Sequence, residues 1–138
     1  MSPEPVRLYF ACVGNSARSQ MAQAFCEEVG ADHVECLSGG TDPLGRVREK
    51  ALTVMDEIGL DLSDHASTPV DEEDLEAADA IATMGCGQAA MPVFEPYDVA
   101  DWSLDHPDSL DEYRETRDEI RGRVRALLAE HEALAEDG

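Results

Sequence analysis

The sequence predicts an α/β fold: a four-stranded parallel sheet with helices on both faces, in a single domain spanning residues 1–138. Three observations carry this. Apolar runs of strand length alternate along the chain with segments of helical period, the order that builds a parallel sheet. The first run, Val6–Ala11, is apolar enough to be covered on both faces, as parallel strands are. It passes through a cysteine-containing loop directly into a helix, and in such sheets ligands sit at the carboxyl ends of the strands.

The elements follow in order. Val6–Ala11 reads as a central strand. Residues 16 to 29 read as a helix with Met21, Phe25 and Val29 as its core stripe and Gly30 as its stop. His33–Ser38 reads as the second strand, after which Gly39-Gly40 is expected to turn the chain. Arg46–Ile58 reads as a helix, with Ala51, Val54, Met55 and Ile58 inward and Gly59 ending it. Asp71-Glu72-Glu73-Asp74 starts a short acidic helix, its carboxylates favoured by the helix dipole. Ala78–Met84 reads as a third strand and Tyr97–Ala100 as a short fourth. Ser109 to about Ala135 reads as a long terminal helix, with Leu110, Tyr113, Ile120, Val124, Leu127 and Leu128 on its apolar face. Cys12, Ser38 and Cys86 all fall at carboxyl ends of strands, which predicts that they meet in space.

Composition narrows the function. The chain carries a net charge of −21, from 31 acidic and 10 basic side chains, with Lys50 its only lysine. High charge and few aromatic residues favour disorder, but 43% hydrophobic residues and clear periodicity outweigh them. The expected molecule is a folded domain in a strongly acidic shell. Such shells suit a salt-rich cytoplasm, where screening relieves self-repulsion, so a halophilic source and a loss of stability at low salt are expected. The same charge argues against binding nucleic acid or an anionic membrane. Met1–Pro5 lacks the basic start and apolar core of a signal peptide, and no run approaches membrane-spanning length, so a cytoplasmic location is expected. There the four cysteines read as reactive or buried thiols rather than a disulfide frame. Cys26 and Cys36 in particular read as small buried hydrophobes. No cysteine pair has zinc spacing, and no metal site is expected.

The chemistry concentrates in Cys12-Val13-Gly14-Asn15-Ser16-Ala17-Arg18-Ser19. A loop of this length between Cys12 and Arg18 can curl around a tetrahedral oxyanion. Its amides point inward and the helix N-terminus adds positive potential. That field stabilises a thiolate and makes Cys12 a nucleophile. Gly14 and Asn15 suit the unusual backbone angles of such a loop. Arg18 is placed to bind oxyanion oxygens with its fork, and Ser19 to donate its hydroxyl to the thiolate. The plainer alternative is a buried structural cysteine before an ordinary strand-to-helix turn.

Cys12 to Ala22 resembles the opening of the low-molecular-weight tyrosine phosphatase superfamily. Ser19-Gln20-Met21-Ala22 resembles its arsenate reductases, whereas the phosphatases usually carry Ser-Pro after the arginine. Further resemblances fall in the family's order over nearly the whole chain: Ser38-Gly39-Gly40, Asp64-His65-Ala66-Ser67, Thr83-Met84-Gly85-Cys86-Gly87 and Trp102-Ser103-Leu104-Asp105-His106-Pro107. The resemblance implies a low-molecular-weight phosphatase-like fold and a second thiol, Cys86, that attacks a Cys12–arsenic adduct. Thioredoxin-coupled members carry a further cysteine just before a proline. Here Ala90 and Met91 precede Pro92, so two routes stay open: a Cys12–Cys86 disulfide reduced by a thioredoxin-like protein, or resolution by a small cellular thiol.

The family places the general-acid aspartate directly before the proline of the Asp105-His106-Pro107 segment. His106 stands there in this chain and Asp105 one residue earlier. Either is a candidate, and histidine ordinarily titrates near ~6.5, suited to the task. His33, His65 and His131 are read as outside the catalysis, with His65 tying loops near the site. Some relatives bind potassium behind the loop. The counterparts here, Asn15, Gln23, Ser38 and Thr68, are all neutral, and that site is not expected. The resemblance thus implies a thiol-dependent arsenate reductase that needs no metal or organic cofactor. The alternatives are a phosphatase acting on phosphotyrosine or small aryl phosphates, and a sensing module with a reactive Cys12 that does not turn over.

Overall fold

Leu8, Phe10 and Cys12 face one side of the first strand and Tyr9 and Ala11 the other, and all five are buried. A strand covered on both sides must be central, and it is. The computed structural model describes residues 5–12, 17–31, 33–40, 45–63, 65, 67–84, 99–102 and 107–133. Its elements run β1 (Val6–Cys12), α1 (Arg18–Val29), β2 (Val34–Gly40), α2 (Glu49–Asp56), α3 (Glu72–Ala77), β3 (Ala80–Thr83), β4 (Val99–Asp101) and α4 (Leu110–Glu130). The sheet order is β2-β1-β3-β4, parallel throughout. Three strands form its body. β4 adds a short edge, pairing from Ile81↔Val99 to Thr83↔Asp101.

One face of the sheet carries the larger core. Leu8, Phe10, Ala82 and Met84 meet Met21, Phe25 and Val29 of α1, Val54 and Met55 of α2, and Ile120, Val124 and Leu128 of α4. On the other face Tyr9, Ala11 and Ile81 pack on Leu75 of α3. Helices therefore cover both faces, three on one and the short acidic helix on the other. Asp71 caps α3 by accepting from the Glu73 amide. Ser109 and Glu112 form a reciprocal capping box at the head of α4. Among the described residues no helix is long and apolar enough to cross a membrane.

Several expectations need correction. α2 is shorter than Arg46–Ile58, because Arg48 is extended (ψ 145°) and Glu49 is the first helical residue. Gly59 takes φ +85° just beyond α2, as a stop requires. Gly30 ends α1 for a different reason: its backbone is extended, but a Cβ there would lie 2.5 Å from the Cys26 carbonyl oxygen. Gly39 and Gly40 are not a turn; they are the last residues of β2. A side chain at Gly39 would collide with the Tyr9 hydroxyl, so glycine is required by close approach. Burial pushes the Tyr9 phenol up to about 12, against a hydrogen bond from the Asp71 backbone.

Cys26 and Cys36 are not independent hydrophobes: the structure joins them in a disulfide. Cys26 lies on the fully buried face of α1, and Cys36 pairs with Leu8 on the sheet face that α1 covers. Their Cα atoms are 6.1 Å apart, within the range a disulfide spans.

Candidate functional site

β1 delivers Cys12 to the carboxyl edge of the sheet as its last residue, and α1 begins with Arg18 and Ser19. The two ends meet: Cys12 Sγ lies 3.0 Å from Ser19 Oγ, both atoms buried. Ala17 occupies the N-cap of α1 and offers no side-chain cap, and the first turn holds no acidic residue. The positive end of the helix is thus presented beside the thiol, without a carboxylate in its own first turn to oppose an incoming anion.

Arg18 Nη1 donates to the Met84 carbonyl at 2.6 Å. This contact draws the guanidinium against the carboxyl end of β3, immediately before Gly85-Cys86. Ser19 is thus brought against Cys12, with Arg18 in the same helical turn and Ala17 at its N-cap. Val13, Gly14, Asn15 and Ser16 of the loop, and Cys86, Asp105 and His106, lie outside the described residues. The segment that leads to the last two is anchored: the Trp102 amide donates to the Thr83 carbonyl (2.7 Å), and its ring packs on Phe10 with centroids 5.9 Å apart.

Behind the head of α1 lies a concavity of about 790 Å³ lined by neutral Gln20, Gln23, Ser38 and Thr68, by His65, and by the carboxylates Asp71, Glu72 and Asp74. Ser38 Oγ donates to Gln23 Oε1 (2.5 Å), Gln23 Nε2 donates to the Cys36 carbonyl (3.2 Å), and Thr68 Oγ1 donates to the Ser38 carbonyl (3.1 Å). These neutral groups engage one another, and three of the four potassium-site counterparts are among them. Ser38 pairs with Phe10, two residues short of the end of β2, so it braces the site from behind rather than lining it.

Two residues near the site carry no role that the sequence motifs assign. Gln20 is 2% exposed, and its Oε1 lies 3.1 Å from His65 Nδ1, tying the strap around residue 65 to the turn that bears Arg18 and Ser19. A polar residue within the helix's core pattern is the signal that marks it. Tyr113 of α4 is the other. Burial pushes its phenol up, with Arg48 and Arg18 opposing and Asp108 adding to the shift, so it stands within electrostatic reach of the site arginine.

Residues 7–138 match the family described as low molecular weight phosphotyrosine protein phosphatase. The chain is 43% identical over 128 residues to a putative arsenate reductase of Halobacterium salinarum, covering 88% of this chain and 89% of that protein. It is 33% identical over 127 residues to a glutaredoxin arsenate reductase of Synechocystis, covering 89% and 96%. Among solved structures it resembles an arsenate reductase in the phosphate binding state, with TM-score 0.78 and 32% identity over 91% of this chain and 98% of the other.

Proposed function

The chain belongs to the low molecular weight phosphotyrosine protein phosphatase family, and within it we propose that it is a thiol-dependent arsenate reductase formed by a single domain, residues 1–138. The observation that carries the reading is the Cys12 sulfur held 3.0 Å from Ser19 Oγ at the uncapped head of α1, with Arg18 in the same turn. Similarity to proteins named as arsenate reductases directs that nucleophile to arsenic.

In this mechanism the amides of Val13, Gly14, Asn15, Ser16 and Ala17, with Arg18, hold arsenate. Ser19 donates to the Cys12 thiolate, which attacks arsenic. An oxygen departs as water, protonated by His106 or Asp105. A second thiol, Cys86 or an external one, then attacks the Cys12 sulfur. The electron pair of the S–As bond passes to arsenic, arsenite leaves and a disulfide remains. A thioredoxin-like protein or a small cellular thiol reduces that disulfide. We place the reaction in the cytoplasm, the compartment that keeps such thiol reductants reduced, where the Cys26–Cys36 bridge is an exception to the rarity of cytosolic disulfides.

A phosphatase reading is favoured by the family description itself. It uses the same loop and a phosphocysteine that water hydrolyses. Pro107 is followed by Asp108-Ser109-Leu110, which supply no aromatic side chain to hold a phosphotyrosine ring. A paired assay at high salt separates the two. Thiol-dependent arsenate reduction and aryl-phosphate hydrolysis are measured for wild type and Cys86→Ser. Arsenate turnover well above phosphatase turnover is expected; hydrolysis without arsenite formation would overturn the reductase reading. A turnover lost in Cys86→Ser and not restored by added thiol assigns the resolving role to Cys86.

A further inference from the structure

Ser19 and Cys26 stand about two helical turns apart on α1, on the same side of it. Both are buried, and each meets a sulfur presented by the sheet. Ser19 Oγ lies 3.0 Å from Cys12 Sγ at the end of β1, and Cys26 is bonded to Cys36 of β2. The two strands are adjacent, with Cys36 opposite Leu8 and Gly40 opposite Cys12. Gln23 sits between these fixed points. Its Nε2 donates to the Cys36 carbonyl and its Oε1 accepts from Ser38 Oγ. One side of α1 is therefore tied to β1 through the nucleophile, to the β2 backbone through Gln23, and to β2 covalently through Cys26.

Of these ties only the bridge can be undone by redox chemistry. Cys26 is fully buried, whereas Cys36 is partly buried and belongs to the strand at one end of the sheet order. An incoming thiolate thus has one sulfur open to attack. Disulfides are rare in the cytoplasm, and those that occur there are usually catalytic or redox-sensing. The bridge takes no part in the chemistry itself: at the rise of a parallel strand, Leu8 and its partner Cys36 lie about 13 Å back from Cys12 along the sheet. What it can affect is the placement of α1.

We propose that Cys26 and Cys36 are positioning residues for the nucleophile, and that their disulfide is a redox-sensitive clamp on α1. Closed, the bridge holds α1 in place on the sheet, so that Ser19 Oγ stays within hydrogen-bond reach of the Cys12 thiolate and stabilises it. Opened, the two sulfurs move apart to the contact distance of separate thiols. Close packing passes that displacement along the helix to Ser19. Opening consumes two thiols. A thiolate attacks Cys36 Sγ, the S–S bond breaks, and Cys26 leaves as a thiolate that takes up a proton. A second thiol attacks the mixed disulfide, frees Cys36 and departs as the low-molecular-mass disulfide. Closing is the reverse, with a small-molecule disulfide as the oxidant. The reactivity of Cys12 thus follows the thiol–disulfide poise of its surroundings. The inference takes from the proposed function only that Cys12 is the nucleophile.

The test is alkylation of Cys12 by iodoacetamide in protein carrying Cys86→Ser, so that Cys86 cannot pair with Cys12. The bridge is left closed or is opened with dithiothreitol, which is then removed. Labelling of the peptide that contains Cys12 is followed by mass spectrometry across pH in high salt, where its rate follows the thiolate fraction. Opening is expected to raise the midpoint of the pH profile by about one unit, a loss of about tenfold in rate at any pH below both midpoints. Adding Cys26→Ala/Cys36→Ala should give the raised midpoint with or without dithiothreitol; if that variant does not fold, the comparison of closed and opened protein decides alone. An identical midpoint in the two states overturns the proposal, and so does a bridge that dithiothreitol does not open in the folded protein. Faster labelling on opening, with the midpoint unchanged, is the mark of loosened packing alone and also overturns it. No arsenate enters the assay, so its outcome is independent of whether the chain reduces arsenate.

Discussion

Cys12 Sγ and Ser19 Oγ are 3.0 Å apart, although one closes a strand and the other belongs to the first turn of the following helix. The contact fixes where the nucleophile sits relative to the positive end of α1. A hydroxyl donated to a thiolate is a charge-assisted hydrogen bond, worth about 1.5–3 kcal/mol. Ser19→Ala is therefore expected to slow both alkylation of Cys12 by iodoacetamide at neutral pH and arsenate turnover, by about 10- to 100-fold. An unchanged alkylation rate would show that Ser19 does not hold the thiolate.

The bridge between Cys26 and Cys36 closes a loop with a sequence separation of 10. Loop closure of that length stabilises by about 2–3 kcal/mol in the chain-entropy account. Cys26→Ala/Cys36→Ala should lose about that much in chemical denaturation without reductant. Alkylation of protein unfolded without reductant should label Cys12 and Cys86 but spare Cys26 and Cys36. Labelling of all four would contradict the bridge.

The acidic shell makes stability depend on salt. Self-repulsion at a net charge of −21 is relieved by screening. Raising KCl from about 0.1 M, where the Debye length is about 10 Å, into the molar range should raise Tm by at least about 3 °C, roughly the effect of 1 kcal/mol in a domain of this size. A Tm independent of salt would remove the argument for a halophilic protein.

Glu57 joins α2 to α4 through two arginines: Arg114 Nη2 and Arg117 Nη1 lie 2.8 and 2.9 Å from its carboxylate oxygens. Hydrogen bonding from Arg114, then its charge and the contacts of Arg117, hold the Glu57 carboxyl below its ordinary value, against some desolvation. A depressed folded value means the contribution is fully present above the unfolded glutamate pKa of about 4.3 and is lost as pH falls through the folded value. The stability gap between wild type and Glu57→Gln should be constant from neutral pH down to about 5 and narrow below that. A gap that widens on acidification would contradict the sign.

Much of this arrangement is legible in the sequence because local chemistry agrees with the fold. The apolar run ending in Cys12, the Met21/Phe25/Val29 stripe of α1 and the Ser109/Glu112 signature of α4 each specify their element alone. What stays hidden depends on contacts between distant segments. The spacing of Cys26 and Cys36 does not say that α1 lies across β2. Nothing local to Arg18 points to the Met84 carbonyl 66 residues away. Gly39 looks like a turn residue until the Tyr9 hydroxyl is seen to need its space.

The central claim is that the Cys12 sulfur performs the reduction. The most direct measurement is arsenite formed from arsenate in the presence of thiol, with wild type and Cys12→Ser compared in the same high-salt buffer. Wild type is expected to accumulate arsenite catalytically, and Cys12→Ser to stay at the protein-free rate. Arsenite formed by Cys12→Ser at the wild-type rate would contradict the account.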